Sequence, residues 1–321
     1  MTLPYLARLL CLILASVFVV HLFAATLVAL CTRRAIARAR SLTPARAAGL
    51  LLTLRLLPAL MAAFVAFGLC TPSYLWLEPY DTDESIGFLC LLFAAPGALL
   101  CAIALVRAAR ALSGAFLFAR RCRQSGRELP ACAGLPVLVV ESSTPLLALI
   151  GILRPRVVVS QAIADALPAD ELSAVLHHEL AHCTARDNLK RMAIFLSPAF
   201  LSAGRELERA WMVFSEYAAD ARAAGGDPSR SIALASALVR VARFGLSSPG
   251  PALAMSVLGP ASHLATRVDR LLAAAACPEP SASLPWKTLG LFAAASAAVA
   301  AMAIQPATFR FVQSVLERLI N

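Results

Sequence analysis

Val175-Leu176-His177-His178-Glu179-Leu180-Ala181-His182 carries the pattern His-Glu-x-x-His, with His178, Glu179 and His182 at the specified places. Residues four apart on a helix lie one turn above each other on the same face. His178 and His182 therefore present two imidazole nitrogens to one metal ion, and Glu179, beside the first of them, reaches a water on that ion. This is the geometry of a zinc hydrolase, with the glutamate as general base and the imidazoles as ligands. The flanking residues predict the helix this geometry needs. Pro168 suits a first turn, and Asp170 and Glu171 suit its positive end. Leu172, Val175, Leu176, Leu180 and Cys183 recur near helical spacing as a core-facing stripe. His177 falls about 100° around the helix from His178 and is read as a polar histidine outside the ligand set. The plain alternative is a helix that happens to carry two histidines, because three specified residues make a short motif.

A tetrahedral catalytic zinc takes three protein ligands and leaves one position for water, so a third ligand is sought downstream. Arg205 to Asp220 reads as a second helix, with Glu216 and Asp220 four apart on one face. In this reading Glu216 closes the site, and Asp220 accepts a hydrogen bond from the far nitrogen of a ligating histidine. An exposed acidic helix face is the alternative for the pair. Glu206 and Glu208 have no acid one turn on and are weaker candidates.

His-Glu-Leu-Ala-His (178–182), Arg186-Asp187 and Glu-Tyr-Ala-Ala-Asp (216–220), with Leu153 to Val159 and Leu167 to Leu172 upstream, resemble the gluzincin metallopeptidases. With the apolar spans described below, the chain is similar to the BlaR/MecR-type family, metallopeptidase family fifty-six. A related family comprises the membrane proteases that mature prenylated proteins or clear damaged membrane proteins. The resemblance covers about residues 1 to 305 and is most specific between Leu153 and Asp220. It implies that His178, His182 and Glu216 bind zinc and that Glu179 is the base. Related gluzincins also place a histidine or an arginine on a later helix to steady the oxyanion. His263 and Arg267, four apart in a predicted helix from Ser262 to Ala276, fit that place, and a solvated helix face explains them equally well. The antibiotic-sensing members carry a large external penicillin-binding domain after the fourth span. Here only Gln305 to Asn321 follows, so direct β-lactam sensing is not expected.

Composition sets the class. Of 321 residues, 60% are hydrophobic and only 15% charged, and the mean hydropathy is +0.74. That is too apolar for an ordinary soluble domain of this size. The net charge of +10 raises the question of nucleic acid. The arginines cluster beside apolar runs, though, which a membrane explains better, and no aromatic-basic RNA motif or tandem zinc-finger spacing is present. Nine cysteines are scattered with no Cys-x-x-Cys pair and read as small buried residues rather than a disulfide framework.

Three apolar runs have spanning length, about residues 9–31, 47–70 and 86–106. Arg33, Arg34, Arg38, Arg40 and Arg46 follow the first and mark the cytoplasmic side. Arg55 in the second is expected to snorkel to that side, and Pro58 to kink the helix. The loop Thr71 to Ser85 is acidic, without Lys or Arg, and is expected outside. The third run bends at Pro96-Gly97, and its helix is expected to continue to about Arg123 before the arginine-rich return to the cytoplasm. His21 is expected to be satisfied against another helix. The zinc domain then occupies residues 129–285, after an N-terminal membrane region of residues 1–128. Val137 to Glu141 and Arg156 to Ser160 read as strands. Gly225-Gly226-Asp227-Pro228 ends the helix carrying Glu216, and Ser231 to Phe244 is a further helix. Residues 286–321 hold the rest of a fourth, alanine-rich span, about 284–304, and a short external tail.

The sequence therefore predicts a mainly α, multi-span helical membrane protein with an inserted cytoplasmic α+β gluzincin-like zinc domain. The expected activity is zinc-dependent endopeptidase cleavage of a cytoplasmic regulator or a membrane-protein segment, with signal transduction as the expected setting. The expected cofactor is one zinc ion. The expected partners are a protein or peptide substrate and the lipid bilayer, with no nucleic acid, in a bacterial-type inner membrane. A quality-control or processing protease is the alternative among enzymes, and a non-catalytic zinc-stabilised signalling scaffold the alternative outside them.

Overall fold

A computed structural model describes residues 5–78, 87–132, 135–142, 146–152, 154–243, 255–256 and 263–276, together with Thr308, Arg310 and Ser314. The expected fourth span at about 284–304 and nearly all of the tail lie outside the described residues. The chain opens with helix α1 (Tyr5–Ala39), followed by α2 (Pro44–Ala63), a π-helical turn (Phe64–Cys70) and α3 (Thr71–Leu77). Helix α4 then runs from Phe88 to Ser125. Three segments, Tyr5–Ala39, Pro44–Leu77 and Phe88–Ser125, are long and apolar enough to cross a membrane.

The second of these differs from the sequence reading. Thr71 to Leu77 continues the helix instead of forming a loop. Pro72 has no N–H to give and its ring crowds the preceding turn. The ladder widens there by one residue, and the Thr71 hydroxyl donates to the Ala66 carbonyl at 2.8 Å. Pro96-Gly97 does not interrupt α4. Gly97 is needed for another reason, since a Cβ at this position would collide with the Leu14 carbonyl of α1. The small residue lets the two helices approach closely.

Helix α4 is about 57 Å long at 1.5 Å per residue, well beyond a 30 Å hydrocarbon core. Its last turns form one wall of the second half of the molecule. There β1 (Gly126–Cys132), β2 (Leu135–Val140), β3 (Leu147–Ile150), β4 (Arg156–Ser160) and β5 (Met255–Ser256) form one sheet in the order β1-β2-β4-β3-β5. The β2–β4 pair is parallel and the others are antiparallel. Period-2 alternation divides the side chains. Leu138, Val140, Ile150 and Val158 pack on Cys122 and Phe118 of α4. Val137, Leu147, Leu149, Val157 and Val159 face the opposite way, into the larger core.

That core is completed by α6 (Ala169–Ala185), α9 (Pro228–Arg243) and α10 (Leu264–Ala276), through Val175, Leu234, Leu238, Val241 and Leu271. A short helix, α5 (Gln161–Ala166), begins at Ser160, whose hydroxyl accepts from the Ile163 and Leu146 amides. Glu171 in the first turn of α6 is fastened to α9 by Arg240 at 2.8 and 2.9 Å and by Ser236 at 2.7 Å.

Helices α7 (Asp187–Leu196) and α8 (Ser202–Ala224) form a hairpin whose turn reaches the apolar helices. Phe200 meets Phe18 of α1 edge-on, with ring centroids 6.1 Å apart. Leu207 and Trp211 of α8 are buried against Val28 of α1 and Leu51 of α2. Burying such side chains contributes roughly 1.5–3 kcal/mol each. Arg55 does not snorkel. It is 3% exposed, and its guanidinium donates to the Ser197 carbonyl at 2.6 Å and the Ser197 hydroxyl at 3.0 Å, with Glu208 at 3.4 Å. A local route to water loses to these partners because the hairpin turn covers this side of α2. His21 is buried beside the same turn and lines a small cavity with Arg55 and Pro198.

Candidate metal centre

Three helices meet at the site. Helix α6 carries His178, Glu179 and His182, all fully buried. Helix α8 carries Glu216 and Asp220 one turn apart on its buried face. Helix α10 brings Arg267, also buried. The Arg222 guanidinium of α8 donates to the Ala181 carbonyl of α6 at 2.9 Å, which pins the two helices side by side. Gly225, with φ +60°, ends α8 in the left-handed region that glycine enters at little cost.

The two imidazoles face each other through their Nε2 atoms, 3.1 Å apart. Glu216 places Oε2 3.5 Å from His178 Nε2 and Oε1 3.6 Å from His182 Nε2. One donor atom from each of the three residues falls within 4.8 Å of the others. Two imidazole nitrogens at about 2.0–2.1 Å from a tetrahedral zinc stand about 3.3 Å apart, so the three residues fit that ion without rearrangement. Each histidine is backed on its far side. His178 Nδ1 lies 3.0 Å from Asp220 Oδ1, and His182 Nδ1 lies 2.7 Å from Asp187 Oδ2. Such carboxylates fix the tautomer and turn Nε2 towards a metal.

The site is rich in buried ionisable groups. Asp187, Glu179, Glu216 and Asp220 are four buried carboxylates; Lys190 pairs with Asp187, Arg267 pairs with Glu216 and Asp220, and Arg191 adds a positive charge near Glu216 and Asp187. Burial disfavours a charged His178, yet Asp220 and Glu216 outweigh it and push its pKa up to about 9. Burial would raise Glu216 and Asp220, but Arg267 and the histidines hold both below the ordinary carboxylate range. Glu179 behaves differently. Burial pushes it up to about 7 despite the nearby histidines. Neither of its buried oxygens accepts a well-formed hydrogen bond among the described residues. An unpaired buried carboxylate is costly, and here it stands beside the three converging donor atoms.

The structure brings together all the residues proposed from the two helical motifs, and the exposed-face reading of Glu216 and Asp220 does not hold. His177 points elsewhere, its Nδ1 lying 2.8 Å from the Ser173 carbonyl oxygen. Arg267 is 2% exposed, so it is not on a solvated face. Its Nε and Nη2 donate to Asp220 at 2.7 and 2.6 Å, and its Nη1 lies 3.1 Å from Glu216. His263, one turn earlier, is half-buried and outside the cluster of donor atoms.

Asp187 is the partner that sequence reasoning did not assign. Arg186 takes φ +55° and turns the chain sharply after α6, which returns the Asp187 carboxylate to His182. The signal available was an acid five residues after the second histidine, just past the helix end. The seven free cysteines among the described residues contribute nothing to the cluster.

Arg267→Lys keeps a positive charge but loses the planar fork that holds Asp220 and Glu216. We expect zinc affinity to fall about 10–100-fold, the usual scale for groups that orient metal ligands. Competition titration against a chromogenic zinc chelator measures this. Unchanged affinity would refute the positioning role.

The model of peptidase family M48 matches residues 122–247, which run from the end of α4 past α9 and include every donor of the cluster. This supports a metallopeptidase family for the chain. It does not confirm the BlaR/MecR-type family in particular. No curated protein matches the chain.

Proposed function

We propose that this protein is an integral membrane zinc endopeptidase that cuts protein segments presented at the membrane surface. The observation that carries the reading is the convergence of His178, His182 and Glu216 beside the unpaired Glu179 carboxylate. Zinc, when bound by those three residues, supplies polarisation of the scissile carbonyl and of a water. Glu179 takes a proton from the attacking water and delivers it to the leaving amine nitrogen. Burial raises the proton affinity of Glu179, which suits a group that takes up a proton and gives it back. Asp220 and Asp187 keep the imidazoles oriented, and Arg267 holds Asp220 and Glu216 in place. Burial around the cluster keeps bulk water from competing.

An extended substrate would lie along a sheet edge, hydrogen-bonded through its backbone. Strand β3 supports this mode, because Leu149 and Ala148 pair in antiparallel register with the chain's own Met255 and Ser256. That edge is therefore not bare, and a substrate must displace or extend this pairing. The hairpin turn between α7 and α8 lies among the apolar helices, which favours a membrane-protein segment, and so a processing or quality-control role, over a freely diffusing regulator.

Two measurements test the reading. Purified protein in lipid discs should cleave casein or itself, lose that activity to a zinc chelator and regain it with added zinc. Activity indifferent to the chelator would overturn the zinc mechanism. The arginines after the first and third spans support a cytoplasmic zinc domain, so a topology reporter inserted after Ser229 should read inside. An outside reading would require an extracytoplasmic substrate.

A further inference from the structure

A cavity of about 370 Å³ opens where the α7–α8 hairpin meets α4, lined by Arg107, Ala199, Arg205, Glu208, Arg209 and Met212. It is separate from the metal centre. We infer that this cavity binds the phosphate-bearing headgroup of an anionic lipid. The inference rests on the membrane placement proposed above.

The charge of the cavity comes first. Arg205 and Arg209 stand four apart on one face of α8 and are exposed, and Arg107 faces them from α4. Among the described residues, no carboxylate lies within ion-pair distance of any of the three. The one acid in the lining, Glu208, is already drawn to Arg55. Three guanidinium groups around one cavity repel one another until an anion enters. Their planar donor forks suit phosphate oxygens, which they can bind in pairs.

Position then selects the source of the phosphate. Arg107 is the first charged residue after the apolar run that begins at Phe88, so it stands where that run ends. Its guanidinium lies 5.7 Å above the Phe195 ring. Apolar surface nearby is bare, with Ile103, one turn before Arg107 on the same face of α4, 43% exposed and Phe200 54% exposed. Basic cations above exposed apolar side chains match a lipid, headgroup in the cavity and acyl chains along the helices. The volume is at the lower end of small-molecule sites and is far larger than a phosphate ion needs.

The test uses the full chain in lipid discs, with native mass spectrometry to count retained lipid. Wild type should retain phosphatidylglycerol in preference to phosphatidylcholine. Arg205→Gln/Arg209→Gln should weaken phosphatidylglycerol binding on the order of 30-fold, following the usual gain per arginine at an anionic surface. Arg120→Gln/Arg123→Gln, on exposed α4 positions outside the cavity, should change it little. Equal retention of the two lipids by wild type would overturn the proposal without needing any variant. An equal loss from the Arg120/Arg123 pair would reduce the effect to general surface charge and also overturn it. Inorganic phosphate that occupies the cavity in phosphatidylcholine discs as tightly as phosphatidylglycerol does would replace the lipid with a free ion. Failure of the protein to enter discs overturns the membrane reading and this site together, whereas entry without lipid preference overturns the site alone.

Discussion

His178→Ala or His182→Ala should remove nearly all bound zinc, while His177→Ala should leave it at the wild-type level. Each of the first two changes removes one of the three donor residues that converge on the proposed site. The remaining groups cannot compensate, since Asp220 is held by Arg267 and Asp187 by Lys190. The variants also leave behind buried carboxylates without their counter-charge, so a loss of stability of about 3–5 kcal/mol is expected to accompany the loss of metal. His177 lies on the same helix but directs its ring to its own Ser173 carbonyl, and so serves as the control. Elemental analysis of the purified proteins reads the result. Equal zinc loss from His177→Ala would sink the ligand assignment.

Glu179→Gln should lose cleavage by on the order of 10²–10⁴-fold, the range of general-base contributions. The amide keeps the size and shape of the side chain but takes up no proton. Glu179 is buried and unpaired, and burial pushes its pKa up to about 7. The neutral amide therefore sits in this pocket at least as comfortably as the carboxylate, and the fold should hold. Glu216→Ala contrasts with it, because that change weakens zinc binding and cleavage together.

The candidate metal centre was legible where helix periodicity alone decides geometry. His178 and His182 are one turn apart, as are Glu216 and Asp220, and burial of both faces follows once the apolar stripes are packed. Asp187 was not legible as a partner of His182, because its approach depends on the left-handed turn at Arg186, a conformation rare for a side chain of that kind. Arg267 could be picked out as a candidate, but its partner Asp220 is 47 residues away and only the packing of α10 on α8 joins them. The same holds for Arg55, which looked like a snorkelling residue until Ser197, 142 residues on, supplied its acceptors.

Strands β2 and β4 announced themselves through runs of valine. Strand β3, Leu-Ala-Leu-Ile, is a four-residue apolar run that periodicity cannot tell from a helix. Strand β1 contains Pro130 and lies at the sheet edge, where proline is tolerated. Strand β5 has only two residues, too few to carry any pattern.

The most direct test of the central claim scores zinc content and peptide cleavage in the same preparations of wild type and Glu179→Gln, reconstituted in lipid. One zinc per chain is expected in both, with cleavage only in the wild type. Equal cleavage by Glu179→Gln would contradict the proposed base, and wild type that carries full zinc yet cuts nothing would leave a zinc-stabilised scaffold in place of an enzyme.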